Sequence, residues 1–194
     1  MINLQIQKIE GLWCGVALES KRIFATTFAF NEKDALKSLL KELPYNTIFQ
    51  AAQKKNALAE EVLRTIRAIF YGEDVSFSFQ FAMTRLSDYA KRVLELTSLI
   101  PTGYVTTYGV LAKAAGGSPR SVGGVMATNP FAPLVPCHRV VAADMTLGGY
   151  GGGLKTKWGI LQRENRKYET VVKAEINTKT LKLFPVDRLK PSKY

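Results

Sequence analysis

Cysteine and histidine are scarce in this 194-residue sequence, which has two cysteines and one histidine. A dedicated Cys/His zinc site usually needs four such ligands, and a disulfide framework needs several cysteine pairs, so neither is expected. No run of about 18 apolar residues occurs, and the N-terminal residues lack the basic-then-apolar layout of a signal peptide. We therefore expect a soluble, intracellular protein without a metal site.

Acidic side chains are also few, with 16 Asp and Glu against 27 Lys and Arg and a net charge of +11. Most of the excess lies in residues 101–194, which hold fourteen basic and five acidic side chains. A basic surface attracts phosphates and favours a nucleic-acid partner, although a charge that only keeps the surface solvated is the alternative. The apolar fraction of 46% excludes disorder over most of the chain.

The first part of the chain has the pattern of a small α/β domain. Residues 3–30 alternate apolar and polar side chains around Lys21-Arg22, which predicts a β-hairpin. Apolar residues at helical spacing predict amphipathic helices over 33–42 and 57–71. The Phe-rich segment 75–83 is predicted to be an edge strand or an extended linker.

A domain boundary is predicted near residues 84–88, followed by a helix that ends at about Ser98. Two short helices are then predicted over 108–115 and 119–128, with Ser118 as the N-cap of the second. Two helices joined by a short Gly-containing turn are typical of helix-turn-helix units. The second helix is rich in small residues, which favours the close approach of a groove, and tight packing on a neighbouring helix is the alternative.

Cys137 is the candidate nucleophile, because His138 follows it directly and Arg139 adds positive potential. A thiolate attacks far better than a thiol, and a neighbouring base favours its formation. Adjacent side chains on a strand point to opposite faces, so we expect a water to bridge the two groups. A buried structural cysteine beside a core histidine is the alternative, and Cys14, in an alternating strand, is predicted to be a packing residue.

Two further elements follow the cysteine. A glycine-rich loop surrounds Tyr150, and a last helix over about 154–165 is predicted to present Leu154, Trp158 and Leu161 on one face. Residues 180–184 alternate weakly, which predicts either a strand or a loose arm.

Residues from about 89 to 164 resemble the O6-alkylguanine-DNA alkyltransferases. The motifs that carry the resemblance, in chain order, are Tyr89 with Val93, Ile100-Pro101-Thr102-Gly103, Thr107-Tyr108, Pro119-Arg120-Ser121-Val122-Gly123-Gly124, Asn129-Pro130, Pro136-Cys137-His138-Arg139-Val140, Gly149-Tyr150-Gly151-Gly152-Gly153 and Leu161-Gln162-Arg163-Glu164. One such motif is weak evidence, but the ordered set is highly specific.

The resemblance implies an α+β protein of two domains. Residues 1–85 form a small antiparallel sheet with helices, which is ribonuclease H-like. Residues 86–168 form a mainly helical, winged-helix-like domain that binds DNA and carries the active site. Residues 169–194 are a basic tail that either packs on the protein or adds phosphate contacts.

The resemblance also implies the reaction, which is direct-reversal DNA repair by a methylated-DNA–protein-cysteine methyltransferase. An alkyl group moves irreversibly from O6 of guanine to Cys137, once per protein. The implied partner is double-stranded DNA that contains O6-alkylguanine, bound through the minor groove by a cytoplasmic monomer. No cofactor and no membrane are implied.

The implied residue roles cover catalysis, DNA binding and the pocket. Cys137 accepts the alkyl group, His138 is the base that acts through a water, Glu164 orients His138, Asn129 braces the loop, and Tyr108 donates to the leaving guanine. Arg120 fills the space of the extruded nucleotide, and the other DNA contacts are Tyr108, Gly109, Ser121 and Gly123. The pocket wall is formed by Met126, Val140, Tyr150, Gly151 and Gly152.

Three other functions remain open from the residues. A damage-binding module without transfer resembles this chain, but Cys137 argues against it because such modules replace the cysteine. A helix-turn-helix regulator explains residues 108–128 but leaves Pro136–Val140 without a role. A Cys-His hydrolase leaves Arg120 without a role.

Gly151 stands where many relatives carry a serine, so a backbone N–H must contact the substrate oxygen there.

Overall fold

The computed structural model describes residues 1–51, 56–176 and 179–190. The chain forms two compact units. The first comprises residues 1–70, 74–85 and 130–134, and the second comprises residues 71–73, 86–129 and the chain from Val135 onward. In the described ranges, no helix is long and apolar enough to cross a membrane.

The first unit contains a four-stranded sheet. Its strands are β1 (Ile2–Ile9), β2 (Leu12–Glu19), β3 (Arg22–Ala29) and β4 (Phe49–Ala51), in the order β3-β2-β1-β4. Strands β1 to β3 are antiparallel neighbours, and β4 runs parallel to β1. The predicted hairpin over 3–30 is therefore a three-stranded meander. A second turn divides this segment at Glu10-Gly11, and both of these residues have positive φ angles.

Both helices predicted for the first unit are confirmed as α1 (Glu32–Glu42) and α2 (Ala57–Phe70). Helix α1 begins at Asn31, whose side chain accepts the backbone N–H of Asp34. Residues 14–18 of β2 are all buried, and successive strand residues point to opposite faces, so both faces of the sheet are covered. Burial raises the pKa of Cys14 to about 12, although the charge of Arg67 lowers it, which agrees with a packing role.

The Phe-rich segment 75–83 is extended and makes a single β-bridge, from Phe81 to Ile23. The Phe81 ring packs on Phe131 with 4.7 Å between the ring centroids. Thr26 donates its hydroxyl to the carbonyl of Ala132 at 2.9 Å. Segment 130–134 thus belongs to the first unit although it lies late in the chain.

The second unit has four helices close to their predicted bounds. They are α3 (Asp88–Ser98), α4 (Tyr108–Ala115), α5 (Pro119–Ala127) and α6 (Leu154–Glu164). The side chains of Ser87, Thr107 and Ser118 cap the first three of these helices by accepting backbone N–H groups. Gly116, in the left-handed conformation, ends α4 and allows the tight turn into α5.

The helices hold more residues of the second unit than the strands do, as predicted, but the unit also contains a four-stranded sheet that the sequence analysis did not predict. Its strands are β5 (Tyr104–Thr107), β6 (Val140–Val141), β7 (Val172–Ile176) and β8 (Lys179–Pro185), in the order β6-β5-β8-β7. Strand β6 is parallel to β5, and the other two pairs are antiparallel. Strands β5 and β6, of four and two residues, are too short to display a period in the sequence, so the sheet was not predicted.

The C-terminal segment packs on the second unit, as one of the two alternatives predicted. Leu181 and Leu183 of β8 are buried. Val186 and Leu189 join a core cluster that contains residues of β5, β6 and α6. Residues 191–194 of the predicted tail lie outside the described residues.

We predict that Leu181→Ala lowers the free energy of unfolding of the second unit by about 2–5 kcal/mol, because Leu181 is fully buried and its truncation leaves a cavity. The exposed neighbour variant Lys173→Ala is the control, with an expected change within about 0.5 kcal/mol. Urea unfolding followed by Trp158 fluorescence in a Trp13→Phe background reports on the second unit alone. Equal stability of the two variants would contradict a structural role for the segment.

Candidate active site

Cys137 lies in a short helical turn rather than at the start of a strand. Residues Cys137–Arg139 form one turn of 3₁₀ helix, and β6 begins directly after it. The turn is held on its N-terminal side, because Cys137 N–H donates to the carbonyl of Val135 at 2.8 Å and the Asn129 amide donates to the same carbonyl at 2.9 Å. The expectation that Cys137 and His138 point to opposite faces assumed a strand, so that argument does not apply.

A buried network of one carboxylate and two basic side chains lies behind the cysteine. His138 Nε2 is 2.9 Å from Glu164 Oε1, and Arg139 Nη2 is 2.7 Å from the same oxygen. Arg139 Nε donates to Glu164 Oε2 at 3.0 Å. Both His138 and Glu164 are fully buried, so Glu164 is not a surface charge.

Arg139 also connects this network to the end of α3. Its Nη1 donates to the carbonyl of Ile100 at 2.6 Å, and its Nη2 donates to the hydroxyl of Thr102 at 3.1 Å. The guanidinium is therefore fixed on several sides, which a buried cation requires. Sequence reasoning assigned Arg139 only a positive potential and missed these partners.

The charges in the network determine which ring nitrogen of His138 carries the hydrogen. Burial by itself raises the pKa of Glu164, but the charges and hydrogen bonds of His138 and Arg139 outweigh it and lower that pKa to about 2. Burial lowers the pKa of His138, although Glu164 opposes this. A neutral imidazole that faces a carboxylate carries its hydrogen on the ring nitrogen nearest to that carboxylate. In His138 this nitrogen is Nε2. His138 Nδ1, which has no hydrogen-bond partner in the described residues, is then free to accept a proton.

The cysteine itself rests as a thiol. Burial raises the pKa of Cys137, while a hydrogen bond from Asn129 and the charge of Lys157 lower it in part. A base must therefore remove the proton before the sulfur can attack, which is the role that His138 Nδ1 can fill.

A cavity of about 430 Å³ opens beside Cys137. It is lined by Tyr108, Pro119, Gly123, Met126, Ala127, Cys137, Gly149, Tyr150 and Gly151. The predicted wall residues Met126, Tyr150 and Gly151 are among them. The other two predicted wall residues, Val140 and Gly152, do not line the cavity. The lining is mainly apolar and glycine-rich, which suits a flat aromatic ring.

Tyr108 contacts the loop on the opposite side of the cavity. Its hydroxyl lies 3.4 Å from the carbonyl of Gly149. Burial raises the pKa of Tyr108, and the charge of Cys137 adds to that rise, so the hydroxyl keeps its proton and can donate it.

The glycines of α5 face open space. A Cβ on Gly123 or Gly124 meets no atom within 4 Å, so these residues do not serve tight packing within the protein. The small surface of α5 is thus free for another molecule. Arg120 is exposed at the first turn of α5, and Gly109 is half-buried in α4.

Ser121, which was predicted to contact DNA, also has a structural role at the start of α5. Its backbone N–H donates to the Ser118 hydroxyl at 3.1 Å, and its own hydroxyl accepts the Ser118 N–H at 2.9 Å. These two bonds form a capping box. The Ser121 hydroxyl is also 2.8 Å from the hydroxyl of Tyr89, which ties α5 to α3.

The burial of Lys157 was not predicted from the sequence. This residue lies on the buried face of α6, which consists of Lys157, Ile160, Leu161 and Glu164. This face differs from the predicted face of Leu154, Trp158 and Leu161, since Leu154 is 37% exposed. The spacing i, i+3, i+4, i+7 of the observed face was readable, but a lysine in the first position hides the pattern.

We predict that Glu164→Gln lowers the free energy of unfolding at neutral pH by about 3–5 kcal/mol, because it leaves Arg139 buried without an anion. The pKa of Glu164 is lower in the folded protein than its ordinary value of 4.5. Its stabilising contribution is therefore complete above about pH 4.5 and is lost as the pH falls towards about 2.

The measurement is urea unfolding of both proteins over this pH range. The stability difference between wild type and Glu164→Gln is expected to narrow as the pH falls. Glu169→Gln, at an exposed position, is the control and should follow the wild type. A difference that stays constant with pH would contradict the ionised, buried carboxylate.

Comparison with protein families gives a match over the part of the chain that holds this site. Residues 88–166 match the family model described as 6-O-methylguanine DNA methyltransferase, DNA binding domain. The first 87 residues lie outside that match.

Three curated relatives extend the comparison. The methylated-DNA–protein-cysteine methyltransferase of Thermococcus kodakarensis is 33% identical over 159 residues, which cover 80% of this chain and 90% of that protein. The protein of the same name from Methanothermobacter thermautotrophicus is 40% identical over 111 residues, or 57% of this chain and 63% of that protein. The DNA base-flipping protein of Thermus thermophilus is 41% identical over 106 residues, or 53% of this chain and 72% of that protein. The chain thus spans just under two thirds of the Methanothermobacter relative.

Solved structures agree with the relatives. The O6-methylguanine-DNA methyltransferase of Pyrococcus kodakaraensis has a TM-score of 0.64 and 30% identity, and the match covers 84% of this chain and 99% of that one. Mycobacterium tuberculosis OGT in complex with DNA has a TM-score of 0.66 and 26% identity, covering 84% and 92% of the two chains. With an α+β fold, a buried Cys-His-Glu arrangement and relatives matched over most of their length, the chain belongs to the O6-methylguanine-DNA methyltransferase family, as its motifs predict.

Proposed function

We propose that this protein repairs DNA by moving an alkyl group from O6 of guanine to its own Cys137. The observation that carries the proposal is the position of the thiol, which lines an apolar cavity and is backed by the buried His138–Glu164–Arg139 network. A base that is flipped out of the DNA stack exposes O6 to such a cavity. The names of the relatives support the same reaction.

The transfer proceeds by in-line displacement. His138 Nδ1 takes the proton of Cys137 through a bridging water, and the thiolate sulfur attacks the alkyl carbon. The S–C bond forms as the C–O6 bond breaks, and the electron pair stays on the guanine. Tyr108 donates its proton to the leaving guanine and regains one from water, while His138 releases the proton of Cys137 to water. The sum of the steps moves one proton from Cys137 to guanine.

The reaction is expected to occur once per protein molecule. The product on Cys137 is a thioether, which is uncharged and a poor leaving group. Water has no activated route to displace it, because the base His138 serves only to form the thiolate. The protein is therefore a stoichiometric alkyl acceptor that needs no cofactor.

Helices α4 and α5 form the proposed DNA-binding unit. Arg120, at the exposed start of α5, enters the base stack and fills the space that the flipped nucleotide leaves. Gly123 and Gly124 allow the DNA backbone to approach α5 closely, since a Cβ at either position points into open space. Ser121 contributes through its capping box rather than through a free hydroxyl. We further propose that this unit is winged-helix-like, that the first unit is ribonuclease H-like, and that the protein acts on chromosomal DNA in the cytoplasm as a monomer.

A second candidate function is base flipping without transfer. It is favoured by the similarity to the Thermus thermophilus DNA base-flipping protein. The presence of Cys137 beside a proton acceptor argues against it, since a protein that only binds damage has no use for an activated thiol.

The first test incubates the protein with duplex DNA that carries one O6-methylguanine labelled in its methyl group. We expect one label per protein on Cys137, no turnover, and no transfer by Cys137→Ser. Cys14→Ala removes the other cysteine and should transfer normally. Tight binding of the lesion without labelling of the wild type would favour the base-flipping function.

A second test concerns Arg120. We predict that Arg120→Ala slows methyl transfer from duplex DNA by about 10- to 100-fold, because unstacking a base costs a few kcal/mol. The loss should be smaller when the lesion lies opposite an abasic site, where less stacking is broken. Lys113→Ala, at an exposed position of α4, is the control for general loss of positive charge. Equal losses in both variants on both substrates would make Arg120 a phosphate contact only.

A further inference from the structure

Lys157 is a fully buried lysine whose three donors are all used. Its Nζ lies 2.7 Å from the carbonyl oxygen of Val140, 2.6 Å from that of Leu147 and 3.3 Å from that of Gly149. A lysine ammonium has three N–H groups and no acceptor, so these carbonyls match its full capacity. Such an arrangement is uncommon, because lysine is almost never fully buried without a partner.

The three carbonyls belong to two segments that border the cavity. Val140 begins β6, directly after the turn that carries Cys137. Leu147 and Gly149 lie in the loop that precedes α6, which we call the pocket loop (residues 147–153). Gly149 lines the cavity and also receives the Tyr108 hydroxyl. The ammonium thus holds the pocket loop against the strand behind the reactive thiol.

Among the described residues, no carboxylate is paired with the positive charge of Lys157. In the described part of the chain, its ionisable neighbours are Cys137, His138 and Tyr150, and Tyr108 lies across the Gly149 carbonyl. The Arg139–Glu164 pair is neutral as a whole, and burial keeps His138 uncharged. Burial lowers the pKa of Lys157 and the charge of Cys137 opposes this in part, so that the pKa is about 8. The anion that matches Lys157 is therefore the Cys137 thiolate, which forms during the reaction.

We propose that Lys157 is a positioning residue of the transfer site: its ammonium fixes the pocket loop and is the pre-placed counter-charge for the Cys137 thiolate. A fixed charge in a site with little water stabilises developing charge far more than it does in solution. The proposal rests on the proposed function for its biological meaning. Its physical content concerns the thiol alone and can be tested without DNA.

The test measures the rate at which iodoacetamide modifies Cys137, followed by mass spectrometry of the Cys137 peptide so that Cys14 does not contribute. The variants separate the two tasks of Lys157. Lys157→Gln keeps N–H donors without the charge, Lys157→Arg keeps the charge, and Lys157→Met keeps neither. Lys155→Met, at an exposed position of the same helix, is the matched control.

At about pH 7, where Lys157 is charged, we expect Lys157→Gln and Lys157→Met to react about tenfold more slowly than the wild type, which corresponds to a rise of one unit in the pKa of Cys137. At about pH 10, where Lys157 is neutral in the wild type as well, the rates should converge. Lys157→Arg should stay near the wild-type rate at pH 7, and Lys155→Met should match the wild type throughout. A purely structural role predicts the same ratio at both pH values, and that result would overturn the proposal.

Amide hydrogen exchange of the pocket loop tests the second task. The amide hydrogens of residues 147–149 should exchange at least tenfold faster in Lys157→Met than in the wild type, and their exchange rate in Lys157→Gln should be intermediate. If Lys157→Met does not fold, Lys157→Gln and Lys157→Arg carry the comparison, because both retain donors for the carbonyls. Unchanged exchange in Lys157→Gln together with unchanged thiol reactivity would also overturn the proposal. Failure to accept methyl from O6-methylguanine in DNA would instead refute the proposed function and leave the thiol measurements valid.

Discussion

The carboxylate of Glu164 is shared by His138 and Arg139, and the reactive centre of the second unit is assembled around that sharing. Arg139 brings a positive charge into the interior, and the carboxylate neutralises it. The same carboxylate fixes the hydrogen of His138 on Nε2 and so leaves Nδ1 as the proton acceptor. Because Arg139 also bonds to Ile100 and Thr102, the end of α3, the cysteine turn and the end of α6 are held in one arrangement.

Burial has opposite effects on the two groups that must exchange a proton. It raises the pKa of Cys137 and lowers that of His138, so the resting pair is a thiol and a neutral imidazole. An uncharged thiol reacts slowly with stray electrophiles, which matters for a protein that, in the proposed reaction, each alkylation consumes. In the same proposal, His138 is the base, and the buried positive charge of Lys157 favours the thiolate once the proton leaves.

The C-terminal segment supports this centre from behind. Strand β8 pairs with β5, and β5 pairs on its other edge with β6, which continues from the cysteine turn. Val186 and Leu189 pack with Val141 and Leu161, so the segment contributes to the core beneath the pocket loop. The basic residues in the described part of this segment therefore sit on a folded element rather than on a loose arm, where they can present charge at defined positions.

The sequence by itself determined the helices of the second unit and the N-cap of α5. Helical spacing located α3 to α5, and Ser118 marked the start of α5, because capping is a local interaction. The order of the motifs led to the hypothesis that Cys137, His138 and Glu164 are the reactive groups. Only the tertiary structure decided the partners of Arg139, the burial of Lys157 and the second sheet. Those features depend on contacts between residues that are up to 81 positions apart, as Tyr104 and Pro185 are, and on strands too short to display a period. A buried lysine or arginine looks like a surface residue in a sequence, since its carbonyl and carboxylate partners are set by how the chain folds back on itself.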